Sequence, residues 1–322
     1  MNAVNHPVSP AGTLRWLLKR EYWENRGGFL YAPVIAGIVS LLMSGIGIAL
    51  GLFALHRAAR DGGLHIDGES VNINGLDLAV LTRDISAKDM ADLGNGLDLA
   101  MVLTSSWPLI VLAFVVFFYC LGALYDDRRD RSILFWKSLP VSDLTAVLSK
   151  LTIPLVFIPL FSFAVTIVTQ FLMLTLSSLV LLGSGVSTSE LWVHSSFLMF
   201  SLILLYHMLL VHGLWYAPIY GWMLMISAWS PRAPVVWAIL PPFVICGVEK
   251  LSLNTTYFLH FIAQRFMGPN SQPSMAANPH NHFASQLIPH HFFTEPGLWF
   301  GLVVAAIFVA ATVRLRRYRG PI

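Results

Sequence analysis

Two histidines and one glutamine stand out inside otherwise apolar runs of this sequence. His207 and His212 are five residues apart, and Gln170 lies in an earlier run. Metal or haem ligation favours histidines three or four residues apart on one helical face, so this spacing predicts no metal site. Polar and ionisable groups in lipid are often functional, and all three residues are candidates for contact with a substrate in a pore. A core histidine bonded to a neighbouring helix is the simpler interpretation of the histidine pair.

Catalytic and nucleotide-binding motifs are missing from the sequence. Neither G-x-S-x-G nor H-E-x-x-H occurs, which excludes the usual serine and zinc hydrolase signatures. No G-x-x-x-x-G-K-[ST] loop is present to hold the phosphates of ATP. The two cysteines, Cys120 and Cys246, lie in apolar runs and are too few for a disulfide framework or a cysteine metal site. We therefore expect no catalytic residue, no metal and no cofactor on this chain.

Two polar segments carry weaker signals for metal binding. One holds four histidines, and the other repeats Asn-Gly-Leu-Asp-Leu-Ala at 74–79 and 95–100 without the alternating carboxylates of a calcium loop. A solvated loop and a local duplication explain them, with a loose metal site as the alternative. The four histidines are His280, His282, His290 and His291.

Composition places the chain in lipid. Of its 322 residues, 56% are hydrophobic and 11% are charged, with a mean hydropathy of +0.68. Soluble domains carry about 25% charged residues. A soluble fold of this length would need more polar surface, so we predict an all-α membrane protein.

Six apolar runs are long enough to cross a bilayer, which takes about 20 helical residues. The fourth run is longer than one crossing needs, and Gly213, Pro218 and Gly221 would bend it. We interpret it as one long bent helix. The predicted spans are 29–55, 105–125, 151–182, 191–229, 233–253 and 296–313.

The distribution of lysine and arginine predicts the orientation, because cytoplasmic segments are enriched in both. Fourteen of the 20 lie in segments on one side of the predicted spans. Both termini are therefore predicted to be cytoplasmic in a bacterial inner membrane. The fourteen are Arg15, Lys19, Arg20, Arg26, Arg128, Arg129, Arg131, Lys137, Lys150, Arg232, Arg314, Arg316, Arg317 and Arg319.

The segments outside the spans have distinct compositions. Residues 1–28 form the predicted cytoplasmic N-terminus, and 13–25 mix leucines and aromatics with charges, which is typical of an interfacial helix. Residues 56–104 and 254–295 are predicted periplasmic loops. The loop 126–150 opens with dense mixed charge and continues as a short amphipathic helix, Ser132–Ser138. Pro140 ends that helix, and Ser142 or Asp143 can cap the next one.

This loop resembles that of the permease subunits of the ABC-2 family of ABC transporters. In that family an acidic residue and an arginine follow the second span, and an apolar helix, a Pro-Val-Ser turn and a lysine come next. The matching residues here are Asp127-Arg128, Ile133–Trp136, Leu139-Pro140-Val141-Ser142 and Lys150. The family usually has Gly-Thr where this chain has Arg131-Ser132, so the start of the helix departs from the pattern.

The resemblance implies a type V exporter-like fold with a cytoplasmic coupling helix at 130–140 that docks on a nucleotide-binding subunit. That ATPase subunit would bind ATP and Mg, and a second permease copy or a sister permease would complete the pore. The cargo expected is amphipathic, peptide or lipid-like, with no role for nucleic acid. The implied coupling residues are Asp127, Arg128, Asp130, Arg131, Ile133, Leu134, Phe135, Trp136, Lys137 and Pro140.

Two other function classes stay open at this point. An ion-coupled secondary transporter needs buried ionisable residues near the bilayer midplane, and only His207 and His212 qualify. A membrane-embedded enzyme needs a catalytic constellation, which the motif search does not find. We therefore expect a transport subunit that is not itself an enzyme.

Overall fold

The computed structural model describes residues 10–60, 65–66, 69–70, 87–183, 192, 197–268 and 292–322. Most of this part of the chain is helical, and it contains one antiparallel pair of two-residue strands, β1 (His65–Ile66) and β2 (Glu69–Ser70), joined in register His65 to Ser70. It contains six helices long and apolar enough to cross a membrane. The predicted all-α, multi-pass membrane class is confirmed at that level.

Twelve α-helices are described, and several continue into one another through π-helical segments. The π segments are Gly27–Tyr31, Ile153–Phe157 and His207–Trp215, and Phe292–Thr294 is a 3₁₀ turn. The α-helices are α1 (Pro10–Glu24), α2 (Ala32–Arg60), α3 (Ala87–Gly122), α4 (Tyr125–Arg129), α5 (Ser132–Ser138), α6 (Asp143–Thr152), α7 (Ile158–Gly183), α8 (Phe197–Tyr206), α9 (Ala217–Trp229), α10 (Pro234–Leu253), α11 (Tyr257–Met267) and α12 (Pro296–Tyr318).

The candidate spans follow the predicted order with shifted ends. They are Gly27–Gly51, Leu99–Arg129, Asp143–Val180, Phe197–Trp215, Pro234–Leu253 and Pro296–Tyr318. The largest difference is at α3, which begins at Ala87, so the prediction of a loop throughout 56–104 is wrong in its second half. The repeat at 95–100 lies within this helix, while 74–79 and the four histidines at 280–291 lie outside the described residues.

The fourth run is bent, as predicted, but it is not one helix. It consists of α8, the π segment His207–Trp215, a bend at Tyr216 and then α9. Pro218 lies in the first turn of α9, where a missing backbone N–H costs no hydrogen bond. The bend at Tyr216 therefore lies directly before a proline position that favours the start of a helix.

Two π segments pack against each other within one part of the fold. Ile153–Phe157 contains Pro154, which interrupts the regular hydrogen-bond ladder between α6 and α7. A Cβ at Gly213 would lie 3.4 Å from the carbonyl oxygen of Leu155. Glycine thus permits a close backbone approach at this crossing.

The chain forms two compact units by its internal contacts. One comprises the described residues of 32–111 and 162–202. In it the Ser40 hydroxyl donates to the Thr104 carbonyl at 2.7 Å, and Met101 and Leu174 are fully buried. These contacts join α2, α3 and α7 by both polar and apolar packing.

The other unit comprises the described residues of 1–31, 112–161 and 203–322. Its main packing is between α9 and α12. A Cβ at Gly221 would lie 3.2 Å from Phe308 and 3.6 Å from the Ala305 Cα, which shows how closely the two helices approach. This unit also holds α1, α4, α5 and α6, and the predicted coupling residues lie in α4, in α5 and in the turns on either side of α5.

Candidate functional site

Helix α5 is short and sharply bounded. Its N-cap, Arg131, has φ of 59°, and Leu139 after its last turn is extended, followed by Pro140. The Ser142 hydroxyl then accepts the Thr145 backbone N–H at 3.0 Å and caps α6. The predicted helix Ser132–Ser138 and the predicted cap are both confirmed.

The side chains of α5 divide into a buried and an exposed face. Ile133 is 3% exposed, whereas Leu134 and Phe135 are each 59% exposed. Trp136 is half-buried beneath the guanidinium of Arg20, whose central carbon lies 3.6 Å from the ring centroid. A cation over an indole face is attracted by the ring quadrupole. Helix α5 is thus fixed on one side and presents two large apolar side chains on the other.

A buried ionic cluster lies behind this helix. The Lys150 ammonium is 3.0 Å from Glu21 and 3.2 Å from Asp127. Glu21 also accepts the Tyr119 hydroxyl at 2.9 Å. Arg20 lies 3.8 Å from Asp127, which brings two cations to two carboxylates. The cluster joins α1, α3, α4 and α6 through side chains that are almost fully buried.

Neighbouring groups of the cluster determine the protonation state of the Glu21 carboxyl. Burial alone would raise the pKa of its carboxyl. The Lys150 charge and the hydrogen bonds from Lys150 and Tyr119 outweigh burial, so the pKa lies below its ordinary value. Glu21 is therefore an ionised carboxylate that holds α1 against the start of the third span.

Arg128 connects three separated segments through backbone carbonyls. Its side chain is buried and donates to Ala228 at 2.8 Å, Ser230 at 3.1 Å and Gly320 at 3.3 Å. The planar guanidinium has five N–H donors in a fixed geometry. One side chain therefore fixes the turn after α9 and the segment after α12 relative to α4.

The end of α12 is tied to α5 and α6. Lys137 donates to the carbonyls of Arg317 and Arg319 at 3.3 and 3.2 Å, and Arg316 pairs with Asp143 at 3.0 Å. A cation near the last carbonyls of a helix is favoured by the helix dipole. Lys137 thus links α5 to the sixth span.

Of the three pore candidates, His212 and Gln170 are buried and His207 is half-buried. His212 is buried, and its Nε2 lies 2.6 Å from the Tyr220 hydroxyl in α9, as expected for a core histidine. Gln170 is fully buried and donates to the Ser105 hydroxyl at 2.6 Å, so it lines no open surface of its own unit. His207 begins the π segment, where backbone bonds run i to i+5, so α-helical spacing does not describe its relation to His212.

The predicted coupling residues form one contiguous segment with mixed exposure. Asp127, Arg128 and Ile133 are buried, and Trp136 is half-buried. The exposed members are Asp130, Arg131, Leu134, Phe135, Lys137 and Pro140.

Four residues of the site were not predicted from the sequence as site residues: Glu21, Tyr119, Arg316 and Asp143. Glu21 looked like one of the exposed charges of an interfacial helix. A usable signal was present, because Glu21 follows Leu17 by four residues and shares its helix face. Leu17 is 5% exposed and Glu21 is 3% exposed.

Metal ligation has no support in the described part of the chain. No group of three or more His, Cys, Asp or Glu side chains is placed there to hold an ion. The site is instead a scaffold of ion pairs around an exposed apolar helix. Compared with known proteins, this chain matches no family model, no curated protein and no solved structure.

Proposed function

We propose that this chain is the permease subunit of an ATP-binding cassette exporter, with α5 as its coupling helix. ATP and Mg are bound by a separate nucleotide-binding subunit, and a second permease copy or a sister permease completes the pore. The site lies on the cytoplasmic side of a bacterial inner membrane, with both termini there. The likeness of residues 126–150 to ABC-2 permeases supports this assignment, and the geometry of α5 supports it independently.

The proposal rests on one observation: one face of α5 packs against the protein, and the other face is exposed. Ile133 is 3% exposed while Leu134 and Phe135 are 59% exposed, although burial of each would be favourable. Ordering a side chain at an interface costs about 0.5–1.5 kcal/mol. A helix that is already held in place avoids part of that cost. This is the arrangement expected of a docking element for a soluble partner.

Contacts of α5 connect it to other helices, so a force applied to α5 is transmitted to them. Arg20 stacks on Trp136 and connects α5 to α1, while Lys137 connects it to α12. Three residues separate the extended Leu139 from Asp143, the first residue of α6. A push on α5 therefore acts on spans two, three and six together.

The substrate class follows from the apolar character of the spans. They hold few charged side chains, and of the pore candidates His212 and Gln170 are buried while His207 is half-buried. A strongly charged solute would find few partners along such a path. The proposal is therefore export of an amphipathic, peptide or lipid-like molecule.

The decisive experiment asks whether the exposed face of α5 holds an ATPase. The full chain is purified from its native membrane in mild detergent, with the associated ATPase activity measured and Walker-containing chains identified by mass spectrometry. Leu134→Ala with Phe135→Ala should lower ATPase recovery about tenfold or more, because truncation of anchor residues costs about 2 kcal/mol or more.

The matched control is Leu259→Ala with Phe261→Ala on α11, since these residues are 50% and 44% exposed. It should leave ATPase recovery unchanged. Absence of any associated ATPase, or equal loss in both variants, would contradict the proposal. A purified chain that transports on its own and stops when an ion gradient is collapsed would instead establish a secondary transporter.

A further inference from the structure

A groove lined by tryptophans lies where α9, α10 and α12 meet. Its volume is about 290 Å³. Nearly all of its lining is apolar, as expected for a surface that faces hydrocarbon. The lining residues include Trp222, Met225, Ile226, Trp229, Trp237 and Leu315.

The walls of this groove are held in fixed orientations. The Trp222 indole N–H donates to the Ala238 carbonyl at 3.1 Å. The rings of Trp229 and Trp237 are perpendicular, with centroids 4.8 Å apart. Tryptophan is enriched where the hydrocarbon region meets the headgroups. These contacts give the groove a defined shape, and its tryptophans are of the residue type that is enriched at that boundary.

A second groove of about 410 Å³ adjoins the first and is basic. Leu315 lines both grooves, and the second is also lined by Arg314, Tyr318 and Arg319. Both arginines are exposed, and no carboxylate of the described residues pairs with either one. Arg316, one residue beyond Leu315, is by contrast buried against Asp143.

The two exposed arginines indicate which class of lipid the grooves would bind. Moving an acyl chain from a bilayer into an apolar groove gains little, because both environments are apolar. Discrimination among lipids must therefore come from the headgroup. Arg314 and Arg319, which pair with no carboxylate of the described residues, offer bidentate donors to a phosphate. Arginines at the end of a membrane-spanning helix attract anionic headgroups.

We propose that these adjoining grooves bind one anionic phospholipid. An acyl chain lies along Trp229 and Trp237, and the phosphate group is held by Arg314 and Arg319. The proposal requires only that the chain is embedded in a membrane, so it stands independently of the exporter assignment. It assigns Arg314 of α12 and Arg319, which directly follows α12, to lipid, and leaves Arg316 to the internal ion pair.

The test measures which lipids stay bound to the full chain. Purified protein in detergent is equilibrated with equal amounts of palmitoyl-oleoyl phosphatidylglycerol and phosphatidylcholine, and retained lipids are counted by native mass spectrometry. The wild type should retain phosphatidylglycerol preferentially. Arg314→Gln with Arg319→Gln should lower the ratio of phosphatidylglycerol to phosphatidylcholine about tenfold or more. Lysine at both positions should restore part of the preference.

The control removes two other exposed cations, Arg15→Gln with Lys19→Gln, and should leave the ratio unchanged. An equal fall in both variants would mean that only total surface charge matters, and it would overturn the proposal. Retention of dihexanoyl phosphatidylglycerol as strong as that of the long-chain lipid would exclude the tryptophan groove. Displacement by millimolar inorganic phosphate would show a soluble-anion site, and would also overturn it. Matching elution profiles and melting temperatures establish that the variants are folded.

Discussion

Lys150 satisfies two carboxylates at once, with its ammonium 3.0 Å from Glu21 and 3.2 Å from Asp127. An exposed pair such as Arg20–Glu24 is worth about 0–1 kcal/mol. Breaking a buried pair by removing one partner costs about 3–5 kcal/mol, although replacing the whole pair by apolar groups is often neutral. The cluster therefore contributes less to net stability than to the fixed placement of α1 against α4 and α6.

Replacing Glu21 with glutamine should destabilise the protein by about 3–5 kcal/mol at neutral pH, because Lys150 loses one of its two buried carboxylates. Equilibrium unfolding in mixed micelles measures this change. Glu24→Gln, three residues away and half-exposed, is the control and should change stability by about 1 kcal/mol or less. Equal effects of the two substitutions would contradict the inferred role of the cluster.

The same substitution should alter the response to acid. Burial opposes the ionised form of Glu21, but Lys150 and Tyr119 lower its pKa below the ordinary 4.5. Its stabilising contribution is complete above pH 4.5 and is lost as the pH falls through the lower folded-state pKa. The stability difference between wild type and Glu21→Gln should therefore shrink on acidification below pH 4.5. A difference that stays constant there would contradict this assignment.

Sequence could identify only the part of this cluster that lies within one segment. Asp127 and Lys150 both belong to the loop motif and were singled out by it. Glu21 is 129 residues from Lys150 and 98 from Tyr119, and no local pattern specifies contacts over such distances. The sequence therefore did not predict Glu21 and Tyr119 as members of the cluster, because their contacts are formed only in the folded structure.

At the scale of elements, the turn into α5 contains a non-glycine residue in the left-handed region of backbone conformation. This residue is Arg131, whose φ is 59°. A non-glycine residue in the left-handed region costs roughly 1–2 kcal/mol. The arginine therefore adopts a conformation that glycine would adopt freely.

Arg131→Gly should stabilise the protein by about 1 kcal/mol, since it relieves the left-handed backbone at the N-cap of α5. Arg129→Gly, two residues earlier, removes the same charge from a helical position and should destabilise it, because glycine weakens helices. Thermal unfolding of both variants tests the pair. Effects of the same sign would mean that charge, and not backbone conformation, dominates here.

The elements differ in how far sequence could specify them. Helix α5 was predictable because Pro140 and Ser142 mark its end and the next start within a few residues. The extension of α3 back to Ala87 was not, since 87–98 is polar enough to look like a loop. The π segments could not be predicted either. A change from i→i+4 to i→i+5 hydrogen bonds does not alter the hydrophobic pattern of a run that is apolar throughout.

At the scale of the whole molecule, the basic block near the end of the chain serves more than orientation. From the sequence, one role was predicted for four arginines, as part of the cytoplasmic excess of lysine and arginine: Arg314, Arg316, Arg317 and Arg319. The structure separates them, because Arg316 is buried against Asp143 while Arg314 and Arg319 are exposed. The charge bias from which the topology is predicted thus also contains an internal ion pair and two exposed cations.

The orientation itself gives the last prediction, and it uses single cysteines in a background with Cys120 and Cys246 replaced by alanine. Ser138→Cys lies at the exposed end of α5, and Ser252→Cys lies at the opposite end of the fifth candidate span from Pro234. Fourteen of the 20 lysines and arginines lie on the side of Ser138 in the predicted topology. Basic residues resist translocation, so an impermeant maleimide should label Ser252→Cys in intact spheroplasts and Ser138→Cys only after lysis. Labelling in the reverse order would place α5 outside the cell, where no ATPase could reach it, while leaving the membrane fold untouched.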